Sequence, residues 1–159
     1  PLTHPVGQSL RHGSQTIRAL FDYPQAPIRA LFAAIDPPIR RHIAAISSAG
    51  QDYTVAGAWS VRLNSGGFHI NHVHPEGWIS SAFYVRTPRD MQGTEGFLKF
   101  GEPGPPTTPR LREEHLVKPE PGLLVLFPSY MWHGTVPFSS TEKRLSCDFD
   151  IVRRPRRTS

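Results

Sequence analysis

From Tyr53 onward the chain is divided into short apolar or alternating segments, each bounded by glycine, proline, asparagine or serine. Segments of this kind are typical of β-strands, and the absence of a long helical pattern between them favours an antiparallel sandwich or barrel. A total of 17 prolines favours turns over long helices as well. The predicted strands are Tyr53–Leu63, Gly67–His72, Ile79–Val85, Gly96–Phe100, Gly122–Phe127, His133–Val136 and Arg144–Val152.

The region before these strands is predicted to be helical. Asp36 can cap a helix that begins at Pro37, and isoleucines follow at helical spacing, Ile39, Ile43 and Ile46. A shorter amphipathic helix is predicted over residues 27–34. The sequence therefore predicts a mainly β fold whose N-terminal helices, at about residues 26–49, pack on one sheet of a β core at about residues 53–152.

Length and composition predict one domain over residues 1–152, followed by a basic tail over residues 153–159 that is expected to be solvated. Arginines in this tail supply most of the net charge of +5, and no aromatic-interleaved basic patch accompanies them, so a nucleic-acid partner is not expected. The single cysteine, Cys147, excludes an internal disulfide and indicates a reducing, cytoplasmic compartment. No apolar stretch is long enough to predict a membrane span.

Three histidines have the spacing of a metal site. In an extended strand alternate side chains share a face, so His72 and His74 can point at the same spot. His133, from a different predicted strand, would complete one triangular face of a metal and leave the opposite positions open for substrate, cosubstrate or oxygen. The order of residues predicts a non-haem iron site.

A candidate anion site follows the third histidine. Arg144 lies eleven positions after His133, far enough for the chain to turn and re-enter the next strand beside it. Its guanidinium can hold a carboxylate through two parallel hydrogen bonds, and Ser146, on the same face, can add a third. The polar face of this strand also carries Asp148 and Asp150. In an ordinary sandwich this face would look at solvent and Arg144 would be a surface residue. The offset from His133 favours a face that looks into the metal cavity, so Arg144 is predicted to be mostly buried.

These residues resemble those of the 2-oxoglutarate and Fe(II)-dependent oxygenases, and most closely a bacterial family of them that often follows tetratricopeptide repeats, with some similarity to aspartyl/asparaginyl β-hydroxylases. The motifs that carry the resemblance are His72-Val73-His74-Pro75, the strand Ser80–Val85, Gly96–Phe100, Gly122–Ser129 before His133, and Arg144-Leu145-Ser146.

The resemblance implies a cupin-like double-stranded β-helix (jelly-roll) that holds Fe(II) and the cosubstrate 2-oxoglutarate, with Arg144 and Ser146 on the far carboxylate and Tyr84 helping to orient it. The implied reaction couples oxidative decarboxylation of 2-oxoglutarate by O₂ to hydroxylation of a C–H bond. The primary substrate, a peptide side chain or a small molecule, is not specified by the sequence. The resemblance also makes an upstream repeat region in a longer chain an expectation.

His74 departs from the superfamily pattern. Most members have a carboxylate at this position, and the β-hydroxylases have no ligand there. His74 is therefore a third metal ligand, a hydrogen-bond donor behind another ligand, or a pocket residue. The other histidines lack a partner at ligand spacing, and His69 in particular is expected to point away from the metal.

Two other functions fit the same residues. A cupin-like dioxygenase with three histidines on the metal would not need 2-oxoglutarate, but it would leave Arg144 and Ser146 without a purpose. A non-catalytic β-helix binding module would retain the fold and lose turnover. Formation of succinate distinguishes the oxygenase from both.

Overall fold

A computed structural model describes residues 2–3, 9–16, 19–47 and 52–154. Within these residues it contains one α-helix, α1 (Ala26–Ile46), and a short 3-10 turn at Leu20–Asp22. The strands are β1 (Leu2–Thr3), β2 (Leu10–Thr16), β3 (Tyr53–His69), β4 (Ile79–Arg86), β5 (Leu98–Phe100), β6 (His115–Val117), β7 (Leu124–Pro128), β8 (His133–Thr135) and β9 (Arg144–Arg153). The predicted mainly β class is confirmed.

The strands form two antiparallel sheets. The larger has the order β1-β2-β3-β9-β4-β7, and the smaller has the order β6-β5-β8. An isolated bridge between His72 and His133 joins the chain that follows β3 to the smaller sheet. Strand β9 lies at the centre of the larger sheet, paired with β3 on one side and β4 on the other.

The prediction of two N-terminal helices was wrong. Helix α1 runs without interruption through Pro37 and Pro38, although a proline inside a helix removes a hydrogen bond and costs about 3 kcal/mol. Three isoleucines that lie four residues apart are all buried against the larger sheet, namely Ile35, Ile39 and Ile43. Each such burial contributes about 1.5–3 kcal/mol, so packing on the sheet outweighs the cost of the prolines.

Asp36, predicted to cap a helix at Pro37, lies inside α1 and has a different role. It accepts hydrogen bonds from Arg40 at 2.9 Å and from the hydroxyl of Tyr53 at 2.6 Å. Because Tyr53 begins β3, this contact links α1 to the first residue of a strand of the sheet that it covers.

Strand β3 merges two of the predicted strands, and β2 was not predicted. The segment Leu10–Thr16 is largely polar and carries little periodic signal, so its pairing with β3 decides its conformation. Gly13 permits that pairing, because a Cβ at this position would lie 2.6 Å from the carbonyl oxygen of Arg62.

Three apolar clusters of buried residues lie against the larger sheet in the described part of the chain. The first lies between α1 and the outer face of the sheet and contains Phe149 and Ile151 of β9. The second lies between the two sheets and contains Ala82, Tyr84, Leu98, Phe100 and Phe127. The third, on β2 and β3, contains Leu10, Val61, Leu63 and Phe138. No helix in the described part of the chain is long and apolar enough to cross a membrane.

Candidate active site

The three predicted ligand histidines come together between the sheets. One ring nitrogen of each lies within 4.8 Å of those of the other two. Backbone hydrogen bonds hold their positions: His72 and His133 bond to each other at 2.9 and 3.0 Å, and the amide of His74 donates to the carbonyl of Ser129 at 2.9 Å. The cluster is therefore built by the junction of the two sheets rather than by a single strand.

Each histidine presents the same ring nitrogen to the cluster. The Nδ1 of His72 lies 2.7 Å from the carbonyl oxygen of Ile70, and the Nδ1 of His133 lies 2.9 Å from that of Met131. A carbonyl oxygen can only accept, so both Nδ1 atoms carry the hydrogen and both Nε2 atoms keep a free lone pair. The Nδ1 of His74 lies 2.5 Å from Oδ2 of Asp150, which fixes the same tautomer.

Burial keeps two of these rings neutral. It lowers the pKa of His133 to about 3, with the neighbouring His72 adding to the effect, and it lowers the pKa of His72 as well. Only a neutral imidazole can bind a metal ion. His72 and His133 are therefore ready to bind a cation at neutral pH without first losing a proton.

A cavity of about 610 Å³ opens beside the histidines, and Arg144 lines it. Arg144 is 4% exposed, as predicted. Its Nη1 donates to the carbonyl of Gly96 at 3.0 Å, and its guanidinium lies 4.8 Å from the centre of the Tyr84 ring. The Nε of Arg144 and the hydroxyl of Tyr84 are buried without a hydrogen-bond partner, which indicates a place for an acceptor.

Ser146 and Asp148 form a pair next to Arg144. The hydroxyl of Ser146 donates to Oδ2 of Asp148 at 3.1 Å, while Oδ1 of Asp148 is buried without a partner. Burial raises the pKa of Asp148 to about 6, although the charge of Arg144 opposes this rise. The alternation of residues in this strand predicted that Asp148 shares a face with Arg144, but it did not predict the hydrogen bond from Ser146.

A family model described as "Putative 2OG-Fe(II) oxygenase" matches residues 57–150, which include every residue of this cluster and cavity named so far. The match covers more than half of the chain. The protein belongs to this family of 2OG-Fe(II) oxygenases. The family uses Fe(II) and 2-oxoglutarate with O₂, so the chain is an oxidoreductase of the dioxygenase type.

Several solved structures share the fold of this chain. A prolyl-4-hydroxylase from Pseudomonas putida is 20% identical, with 96% of this chain and 77% of that chain covered and a TM-score of 0.63. The viral collagen prolyl hydroxylase vCPH of Paramecium Bursaria Chlorella virus-1, solved with 2OG, is 15% identical, with coverages of 94% and 82% and a TM-score of 0.63. HygX from Streptomyces hygroscopicus, solved with nickel and 2-oxoglutarate, is 13% identical, with coverages of 96% and 73% and a TM-score of 0.60. No curated protein matches the chain in sequence.

The residues of this oxygenase fit both groups that the family uses. Imidazole nitrogen is a good ligand for Fe(II), and the three free Nε2 atoms face one another in the cluster. The unpartnered Arg144 Nε and Tyr84 hydroxyl are donors without an acceptor, and a carboxylate is an acceptor that would fit them. Both observations come from the chain itself and agree with the family assignment.

His69 was expected to point away from the metal, but it lies beside the histidine cluster. It lines the cavity, its ring stacks on that of His72 at 5.9 Å, and its Nδ1 lies 3.1 Å from the hydroxyl of Ser9. Alternation does not extend from His69 to His72 and His74, because β3 ends at His69 and only an isolated bridge follows at His72. Burial lowers the pKa of His69 well below its ordinary value, so it adds a neutral ring beside the cluster.

Proposed function

We propose that this oxygenase is a hydroxylase in which His72, His74 and His133 hold Fe(II) inside a double-stranded β-helix. The convergence of three imidazoles whose Nδ1 atoms are all hydrogen-bonded away from the cluster carries this proposal. When bound, the iron and 2-oxoglutarate supply the oxidising power, through oxidative decarboxylation of 2-oxoglutarate by O₂ to succinate and carbon dioxide. The chain supplies placement: three fixed ligands on one side and an open cavity on the other.

Arg144, Ser146 and Tyr84 are proposed to hold the far carboxylate of 2-oxoglutarate. The guanidinium is already fixed by the Gly96 carbonyl and the Tyr84 ring, so little rotational freedom is lost when the anion binds. The Ser146 hydroxyl can rotate from Asp148 to the anion, because a hydroxyl has one hydrogen and a free torsion. Burial strengthens each of these charge-assisted hydrogen bonds.

The primary substrate is proposed to be a peptide side chain or a small molecule. A cavity of about 610 Å³ lies within the range of sites that enclose a small ligand, and the cosubstrate fills part of it. A flexible chain that reaches in with one side chain therefore fits better than a large folded partner. The cytoplasm remains the predicted location on the ground of the single cysteine.

An anaerobic titration with Fe(II) and then 2-oxoglutarate tests the proposal. A 2-oxo acid chelated to ferrous iron gives a weak visible charge-transfer band, and we expect this band to appear and to saturate. Under O₂ and with a substrate library, succinate should form together with hydroxylated product. Iron binding without the band would favour a cupin-like site that needs no 2-oxoglutarate, and no iron binding would overturn the metal assignment.

His133→Ala provides the matched test of the metal cluster. We expect this variant to lose Fe(II) binding, because one of three ligands is gone. His115→Ala is the control, since His115 is exposed on β6 and outside the cluster, and it should bind iron as the parent protein does. Normal iron binding by His133→Ala would place the site elsewhere.

A further inference from the structure

The carboxylate of Asp150 accepts a direct hydrogen bond from one histidine of the cluster, His74. Its Oδ2 accepts from the Nδ1 of His74 at 2.5 Å, and its Oδ1 accepts from the hydroxyl of Ser80 at 2.6 Å. Its side chain is 13% exposed. Both carboxylate oxygens are therefore engaged on the cavity side of β9, and one of them contacts a candidate ligand directly.

The surroundings of Asp150 leave it little freedom. Ser80 is its partner in the pairing of β4 with β9, and the hydroxyl of Ser80 also lies 2.9 Å from that of Ser129. The carbonyl of Ser129 in turn accepts from the amide of His74. A closed ring of contacts therefore links the backbone and the ring of His74 to the same carboxylate, so the imidazole has one orientation.

The charge of the cluster gives this contact a purpose. A ferrous site made of two histidines and a carboxylate carries one negative charge among its ligands, whereas three neutral imidazoles carry none. A carboxylate on the Nδ1 hydrogen of a ligand histidine increases the basicity of its Nε2 and fixes its tautomer. Asp150 thus adds one negative charge next to the site. It lies behind the ring of His74, whereas a carboxylate ligand would carry that charge directly on the metal.

We infer that Asp150 is a positioning residue that acts through His74, making its imidazole an electron-rich third ligand in place of a carboxylate. The inference rests on the proposed function, because it requires that His74 bind the metal. It assigns to the Asp150 carboxylate a role in metal affinity and in the iron potential, and none in binding 2-oxoglutarate, which Arg144 serves at the other end of the polar face of β9.

Asp150→Asn is the decisive variant, since an amide oxygen can still accept from His74 while the charge is lost. With Co(II) alone as the probe, we expect its visible spectrum to report an affinity about 10–100-fold weaker than that of the parent protein. We also expect the Fe(III)/Fe(II) midpoint potential to rise, because a nearby negative charge favours the ferric ion. A purely structural role for Asp150 would not move the potential.

Asp36→Asn is the matched control. Asp36 also accepts two side-chain hydrogen bonds, but it lies on α1, outside the cavity, so Co(II) affinity should not change. A double-mutant cycle with His74→Ala then tests the route of the effect. If Asp150 acts through His74, Asp150→Asn should cause no further loss of Co(II) affinity in the His74→Ala background.

Two results would overturn the inference while leaving the proposed function intact. In the first, the parent protein binds Co(II) and Asp150→Asn binds it equally well at the same midpoint potential. In the second, Asp150→Asn weakens Co(II) binding equally with and without His74, so the carboxylate acts through the fold. A parent protein that binds no Co(II) at all would instead remove the proposed function, and the inference with it.

Discussion

The two faces of strand β9 have opposite roles. On one face Phe149 and Ile151 are buried against α1, with Cys147 packed at the edge of the same cluster. On the other face Arg144, Asp148 and Asp150 line the cavity, and Ser146 donates a hydrogen bond to Asp148. One strand therefore separates the residues that hold the fold from the residues that serve the chemistry.

The two faces of β9 make contributions of opposite sign to the stability of the fold. Each apolar side chain buried against α1 stabilises the fold by about 1.5–3 kcal/mol. On the cavity face, the Nε of Arg144 and the Oδ1 of Asp148 are buried without partners, and each such group costs about 1–3 kcal/mol. Apolar packing against α1 thus offsets the cost of the unpartnered polar groups on the cavity face.

Ile151→Ala should give the largest effect on stability. Ile151 is fully buried beneath α1, and removal of its side chain leaves a cavity, so we expect a loss of about 2–5 kcal/mol in the free energy of unfolding. Urea denaturation of the metal-free protein measures this loss. In protein that remains folded, Co(II) affinity should be unchanged, because the histidines contact the opposite side of the sheet.

Ile151→Val is the conservative control and should lose about 0.5–1.5 kcal/mol. The comparison between the faces would fail if Ile151→Ala weakened Co(II) binding while urea denaturation showed it to be as stable as the parent protein.

Arg144→Met should keep the stability of the fold and lose binding of 2-oxoglutarate, in contrast to Ile151→Ala, which should lose stability and keep its affinity for Co(II). Methionine fills much of the space without a buried charge, so we expect the free energy of unfolding to change by less than about 1 kcal/mol. Binding of 2-oxoglutarate should weaken about 100-fold, because the charge-assisted hydrogen bonds to its carboxylate are lost. The charge-transfer band of the ferrous complex, titrated with 2-oxoglutarate, measures this change, and Co(II) binding should persist.

Arg62→Met is the matched control on the neighbouring strand. Arg62 is exposed and pairs with Leu145 rather than with a cavity residue, so neither stability nor 2-oxoglutarate binding should change. Equal weakening of 2-oxoglutarate binding by both variants would show that the general positive charge of the protein, and not the position of Arg144, attracts the anion.

Much of this division was predictable from the sequence. Side chains in a strand alternate strictly, so the order of polar and apolar residues from Arg144 to Ile151 indicated both faces. The spacing of His72 and His74 and the distant His133 likewise predicted a cluster, which the bridge between His72 and His133 assembles. These predictions succeeded because they depend on local periodicity and on elements that the chain marks clearly.

Long-range contacts explain what the sequence did not predict. Helix α1 passes through Pro37 because of its packing on the sheet, which no local pattern contains. His69 lines the cavity together with His72 because β3 ends at His69 and the alternation of a regular strand does not continue to the ligand histidines. The contact between His74 and Asp150 joins residues 76 positions apart, and only the pairing of β3, β9 and β4 brings them together.

Asp148→Asn should give the change in stability that depends most on pH. Burial raises the pKa of Asp148 from an ordinary value of 3.8 to about 6, so the folded protein binds a proton that the unfolded chain has released. Stability from this group is present below about pH 4 and is lost as the pH rises through 6. We therefore expect urea denaturation of the metal-free variant to show a gain of about 3 kcal/mol over the parent protein at pH 8 and little at pH 4. An equal gain in stability at pH 4 and pH 8 would mean that the packing of the side chain, and not the buried charge of Asp148, destabilises the parent protein.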